Sequence, residues 1–157
     1  MYPEIERDVS GYSIFNVGDR ILVYDKGANA KLSDNFRSGE FDDNWKSDSN
    51  HFTLISPFLM VAMQQIRGTI GKPVAITSGF RTAHKNVAIG GAKRSYHTKG
   101  MAADWTADIN LEEFYNLLID PKYNRFLFIK GVGYYPNRRF IHIDVRNVDK
   151  RVTWIGD

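Results

Sequence analysis

Ser95-Tyr96-His97-Thr98-Lys99-Gly100-Met101-Ala102-Ala103-Asp104 carries an imidazole and a carboxylate seven positions apart, with a glycine and small residues between them. A chain of this kind folds back on itself. A tight turn at Gly100 would let a loop His97 and a strand Asp104 converge, which is what two ligands of one tetrahedral ion require. The third ligand must come from elsewhere, and His142, in an apolar strand-like run near the C-terminus, is the natural choice. Along that run His142 and Asp144 share a face. Two histidines and one aspartate leave one zinc position for water, as in a catalytic site. On the residues alone another reading stands beside this one: His97 caps a turn, Asp104 pairs with an arginine, and His142 is a hydrogen-bonded core residue.

Working outward, Ala102 to Ala107 reads as a strand and Asn110 to Leu118 as an amphipathic helix with Asn110 or Asp108 as cap. Upstream, Ser56-Pro57 opens a helix whose apolar positions Phe58, Leu59, Val61, Ala62, Ile66 and Ile70 follow helical spacing, and Gly71 ends it. Pro73 to Ser78 is a β-branched run suited to a buried strand. Thr82 to Ile89 forms a short helix before the turn Gly90-Gly91. Gly131 to Tyr135, a turn at Pro136-Asn137 and Arg139 to Arg146 make a hairpin. Residues 1 to about 50 are polar and turn-rich, with Ile21 to Tyr24 as the one strand, and are expected to be an irregular arm wrapping the core. Short strands alternating with short helices predict an α+β fold with a small, mostly antiparallel sheet, in one domain over 1–157.

The 157 residues, 43% hydrophobic and 25% charged, suffice for a core and exclude wholesale disorder. There is no cysteine, so a transition metal must be held by histidine and carboxylate. The N-terminal residues lack a basic and an apolar region, so no signal peptide is expected, and no apolar run would span a bilayer. The net charge of +3 suits anionic polymers, but the basic residues are scattered. A solvated surface is therefore expected rather than a specific nucleic-acid stripe, and a monomer rather than an assembly.

Ser78-Gly79-Phe80-Arg81, Asn86-Val87-Ala88-Ile89-Gly90-Gly91-Ala92, the Ser95 to Asp104 segment and Phe140-Ile141-His142-Ile143-Asp144 run in order. Together they resemble the zinc D-Ala-D-Ala carboxypeptidase-like family of peptidoglycan peptidases, whose fold is shared with hedgehog signalling domains. The resemblance covers about residues 30 to 155. It implies that His97, Asp104 and His142 bind Zn2+ and that the substrate is a peptidoglycan stem peptide, cleaved by a D,D-carboxypeptidase or an endopeptidase of the endolysin type. It implies further that Arg81 lies in the cleft and holds a substrate carboxylate or oxyanion, with a structural ion pair to Asp104 or Asp144 as its other reading. Ser95 orders the ligand loop. In several relatives an acid three residues before the last histidine is the general base, whereas this chain has Arg139 there. Asp144 is then either the base itself or the group that orients an imidazole. The pattern suits a soluble wall hydrolase, such as one encoded by a phage and released to the wall. The other function class is a non-catalytic zinc module that recognises wall peptides or a protein partner.

Overall fold

Ser56 and Gly71 bound the longest helix. The Ser56 hydroxyl accepts the Phe58 N–H at 3.2 Å, Pro57 occupies the first turn, and Gly71 takes a left-handed φ of 69° and donates its N–H to Arg67. Between them α1 (Pro57–Ile70) buries Leu59, Ala62, Met63 and Ile66, one stripe at helical spacing. The computed structural model describes residues 21–45 and 49–157.

Against this helix lie two sheets, giving the expected α+β architecture. The smaller pairs β1 (Leu22–Asp25) antiparallel with β2 (Phe52–Ile55), and Leu22, Val23, Tyr24 and Ile55 join the core. Phe36 and Phe41 are buried as well, so residues 21–45 contribute to the core. Residues 1–20 and 46–48 of the expected arm lie outside the described residues. The larger sheet contains β3 (Val74–Ser78), β4 (Ala102–Ala107), β5 (Gly131–Tyr135), β6 (Phe140–Asp144) and β7 (Val152–Ile155), in the order β3-β4-β6-β5-β7. All neighbours are antiparallel except β5 and β7. β3 was expected to be buried, but it is an edge strand and its residues alternate between covered and open positions. Two short helices complete the frame, α2 (Ala83–Ala88), capped by Thr82, and α3 (Leu111–Ile119), capped by Asn110.

The inner face of β4 and β6 carries Ala103, Trp105, Ile141 and Ile143, all fully buried in the main core. On the other face the register aligns one row across the whole sheet: Ser78 opposite Asp104, Asp104 opposite His142, His142 opposite Gly133, and Gly133 opposite Trp154. Directly paired residues share a face. The sheet therefore presents a carboxylate, an imidazole and an indole side by side, on a floor made rigid by the core beneath.

Candidate metal centre

His97 reaches this row from a 3-10 turn, Tyr96–Lys99. Ser95 begins the turn by accepting the His97 N–H at 3.3 Å, and Gly100 closes it with φ 70°. A side chain at Gly100 would be strained by that φ, and its Cβ would lie 2.4 Å from the Leu54 carbonyl oxygen. The turn at Gly100 expected from the sequence is the one that folds His97 back over Asp104.

The three groups meet closely. His97 Nε2 lies 3.2 Å from Asp104 Oδ1, His142 Nδ1 lies 2.9 Å from the same oxygen, and the two ring nitrogens are 3.3 Å apart. The outer nitrogen of each ring fixes its tautomer. His97 Nδ1 donates to the Gly79 carbonyl at 2.8 Å, and His142 Nε2 donates to Asp144 Oδ2 at 2.8 Å. In the neutral rings both inward nitrogens therefore present lone pairs to each other and to a carboxylate. Such a set is repulsive until a cation or proton enters it. Metal–ligand bonds of about 2.0–2.1 Å in a tetrahedron put neighbouring ligand atoms roughly 3.3 Å apart, so this trio has the dimensions for zinc.

The electrostatics describe the same cluster without metal. Burial pushes the Asp104 carboxyl up, but the charge of His97 and hydrogen bonds from His142 and His97 outweigh it and hold the group well below the usual carboxylate range. Burial pushes the His142 imidazolium down, yet hydrogen bonds to Asp104 and Asp144 raise it.

Asp144 stands behind His142. It is fully buried, and its two oxygens accept both the Nε and a terminal nitrogen of Arg146 at 2.7 Å. Burial raises its pKa, and the hydrogen bonds from Arg146 and His142 bring it down to about 2. The guanidinium of Arg146 lies 4.6 Å from the Tyr96 ring centre and 5.6 Å from that of Trp154. Arg81 lies in front of the cluster, 3.3 Å from Asp104 Oδ2, with further donations to Ser78 and Asn86. Both positions proposed for Arg81 coincide: it pairs with Asp104 and it lines the cleft.

That cleft, of about 610 Å³, opens over the three candidate ligands. Its walls bring in residues that the sequence reading did not single out, Arg94 and Arg138 among the cations and Tyr96, Phe140 and Trp154 among the aromatics. Arg139 has a left-handed φ of 57° and does not line the cleft, whereas Arg138 does. Asp104 is the one carboxylate among the described residues that lines it. Tyr135 is on the wall, while Tyr134 stacks on Tyr115 in the core. His51 and His84 are exposed and outside the cluster.

Comparison with known proteins bears on the same residues. The family model for peptidase M15 matches residues 34–144, a span that includes all three candidate ligands and Arg81 and ends on Asp144. The peptidoglycan L,D-endopeptidases MepK of Escherichia coli and Shigella flexneri are each 35% identical to this chain over 104 residues, which is 61% of this chain and 54% of theirs. The chain thus matches about half the length of these curated relatives. Arg146 and Trp154 follow the family-matched segment.

Proposed function

The chain belongs to the peptidase M15 family, and from that premise we propose that it is a zinc peptidase that hydrolyses a bond within the stem peptides of peptidoglycan. The observation that carries the reading is the trio His97, Asp104 and His142, with ligand atoms 2.9–3.3 Å apart and the outer nitrogen of each imidazole bonded to an acceptor. Zinc held there would supply a Lewis acid that polarises the scissile carbonyl and activates water. The endopeptidase type is favoured over the D,D-carboxypeptidase type because the curated relatives are named L,D-endopeptidases.

The remaining roles belong to the protein's own side chains. Arg81, fixed by Ser78, Asn86 and Asp104, offers a guanidinium to a substrate carboxylate or to the developing oxyanion. Asp144 acts through His142: buried, ionised and already bonded to Arg146, it holds the Nε2 proton and so keeps Nδ1 bare for the metal. Ser95 orders the turn that carries His97.

A second reading is favoured by one observation. Asp104 alone among the described carboxylates lines the cleft, so a free proton acceptor beside the metal is missing there, as it would be in a zinc module that binds wall peptides without cleaving them. Digestion of purified peptidoglycan with the zinc-loaded protein, read by mass spectrometry, separates the two. Release of peptides cut at one defined bond is the expected result. Bound zinc with unaltered peptidoglycan would overturn the peptidase reading in favour of the binder.

A further inference from the structure

Four guanidinium groups, those of Arg81, Arg94, Arg138 and Arg146, line the cleft against the single carboxylate of Asp104. That carboxylate is already engaged by His97, His142 and Arg81. Arg146 is neutralised by Asp144. Arg138 has no acidic partner among the described residues, yet its guanidinium is not loose. It lies 5.2 Å over the ring of Phe140, which in turn stacks on Tyr135 at 4.5 Å. The stack presets the plane of the fork, so less freedom is lost when the fork grips a carboxylate.

Arg138 also shares the field of the anchor already described. Both guanidiniums line the same cleft, Arg81 at its floor against Asp104 and Arg138 on the wall beside Phe140. Of the four cations, Arg81 and Arg146 have carboxylate partners whereas Arg94 and Arg138 have none among the described residues, and such a cleft is best satisfied by an incoming anion. The neighbouring residue supplies a contrast within the chain, because Arg139 carries the same charge one position later and does not line the cleft.

We infer that Arg138 is a specificity-determining residue that takes a second carboxylate of the substrate beside the one held by Arg81, so that the cleft selects acidic peptides with two free carboxylates. The inference rests on the peptidase reading of this cleft and names its substrate class more closely. A neutral or amidated peptide of the same shape leaves Arg138 unpaired.

The test uses the zinc-loaded protein and two synthetic stem-type tetrapeptides that differ only in an interior acidic side chain, free in one and carboxamide in the other. Calorimetric binding and steady-state hydrolysis are both measured. Wild type is expected to bind the free acid about tenfold more tightly than the amide, the worth of one charge-assisted fork contact. Arg138→Ala removes that preference by raising KM for the acid at nearly unchanged kcat, and leaves the amide as it was. Arg138→Lys keeps part of the preference, and Arg139→Gln keeps all of it. Equal binding of the two peptides by wild type, or equal weakening of both by Arg138→Ala, would overturn the inference. Preference in binding without hydrolysis of either peptide would uphold it while removing the peptidase reading.

Discussion

Asp104 and His142 lie directly opposite each other on adjacent central strands, and Oδ1 of one stands 2.9 Å from Nδ1 of the other. Two of the three candidate ligands are therefore set by sheet register, and only His97 depends on a turn. The metal should accordingly be tight, and its loss should be felt by the fold. Chelation of the purified protein is expected to abolish hydrolysis, to lower Tm, and to be reversed by added zinc. Asp104→Asn and His97→Ala should each reduce bound zinc from about one ion per chain to a small fraction of that, with activity down by at least about 100-fold. Elemental analysis and activity together check this. Full zinc content in both variants would show that the trio is not the metal centre.

Asp144→Asn distinguishes two ways a carboxylate can serve this site. A group that holds the Nε2 proton of His142 acts on metal affinity, and its loss should weaken zinc about 10- to 100-fold in a chelator competition. Saturating zinc should then restore much of kcat. A general base would behave otherwise, leaving zinc affinity intact and lowering kcat at every zinc concentration. The burial of Asp144 and the claim of Arg146 on both its oxygens favour the first outcome.

Glycine spacing in β5 supports the same row of side chains. A Cβ at Gly133 would lie 2.4 Å from the Trp154 indole, which packs 5.2 Å from the His142 ring and donates to the Tyr135 hydroxyl. Gly133→Ala should therefore displace that indole and cost about 1–3 kcal/mol by overpacking. A shift in tryptophan fluorescence should accompany the lower Tm. Gly68 is the control, an exposed glycine inside α1 with nothing near its missing side chain. Gly68→Ala should raise stability by roughly 0.5–1 kcal/mol. A neutral Gly133→Ala would mean that the indole is not held where the sheet puts it.

Where local chemistry decides structure, the chain could be read directly. Ser56-Pro57 and Gly71 bound α1, Asn110 caps α3, and small and apolar residues at 102–107 form β4 with the bounds expected. The convergence of His97 and Asp104 was legible because Gly100 permits one tight reversal. What escaped was set at long range. β2 and β7 are four residues each and exist by pairing with distant partners, β7 in parallel register with β5. Trp154 could not be assigned to the cleft without that register. Whether Arg138 or Arg139 faces the cleft depends on a left-handed φ in the hairpin turn, which residue spacing alone does not reveal.

Asp43 ties the front of the site to the fold, and its titration should be visible in acid. Its Oδ2 accepts the Thr82 N–H at 2.9 Å, its Oδ1 accepts the Trp45 N–H at 3.0 Å, and Lys85 lies 3.2 Å away. Thr82 directly follows Arg81 and caps α2. Burial pushes the Asp43 carboxyl up, but the hydrogen bonds from Thr82, Trp45 and Lys85 outweigh it, so its folded pKa is depressed. A depressed carboxylate contributes stability that is fully present above its unfolded pKa of about 3.9 and is lost as pH falls through the lower folded value. Asp43→Asn keeps the shape but gives up the charge, and at neutral pH it should cost roughly 2 kcal/mol, or about 4–8 °C in Tm. Thermal unfolding of both proteins in chelator, so that metal loss does not intrude, should show the gap constant from neutrality to about pH 5 and closing below about pH 4. A gap that persists unchanged into strong acid would mean that the carboxylate charge of Asp43 does not hold the Arg81–Thr82 corner.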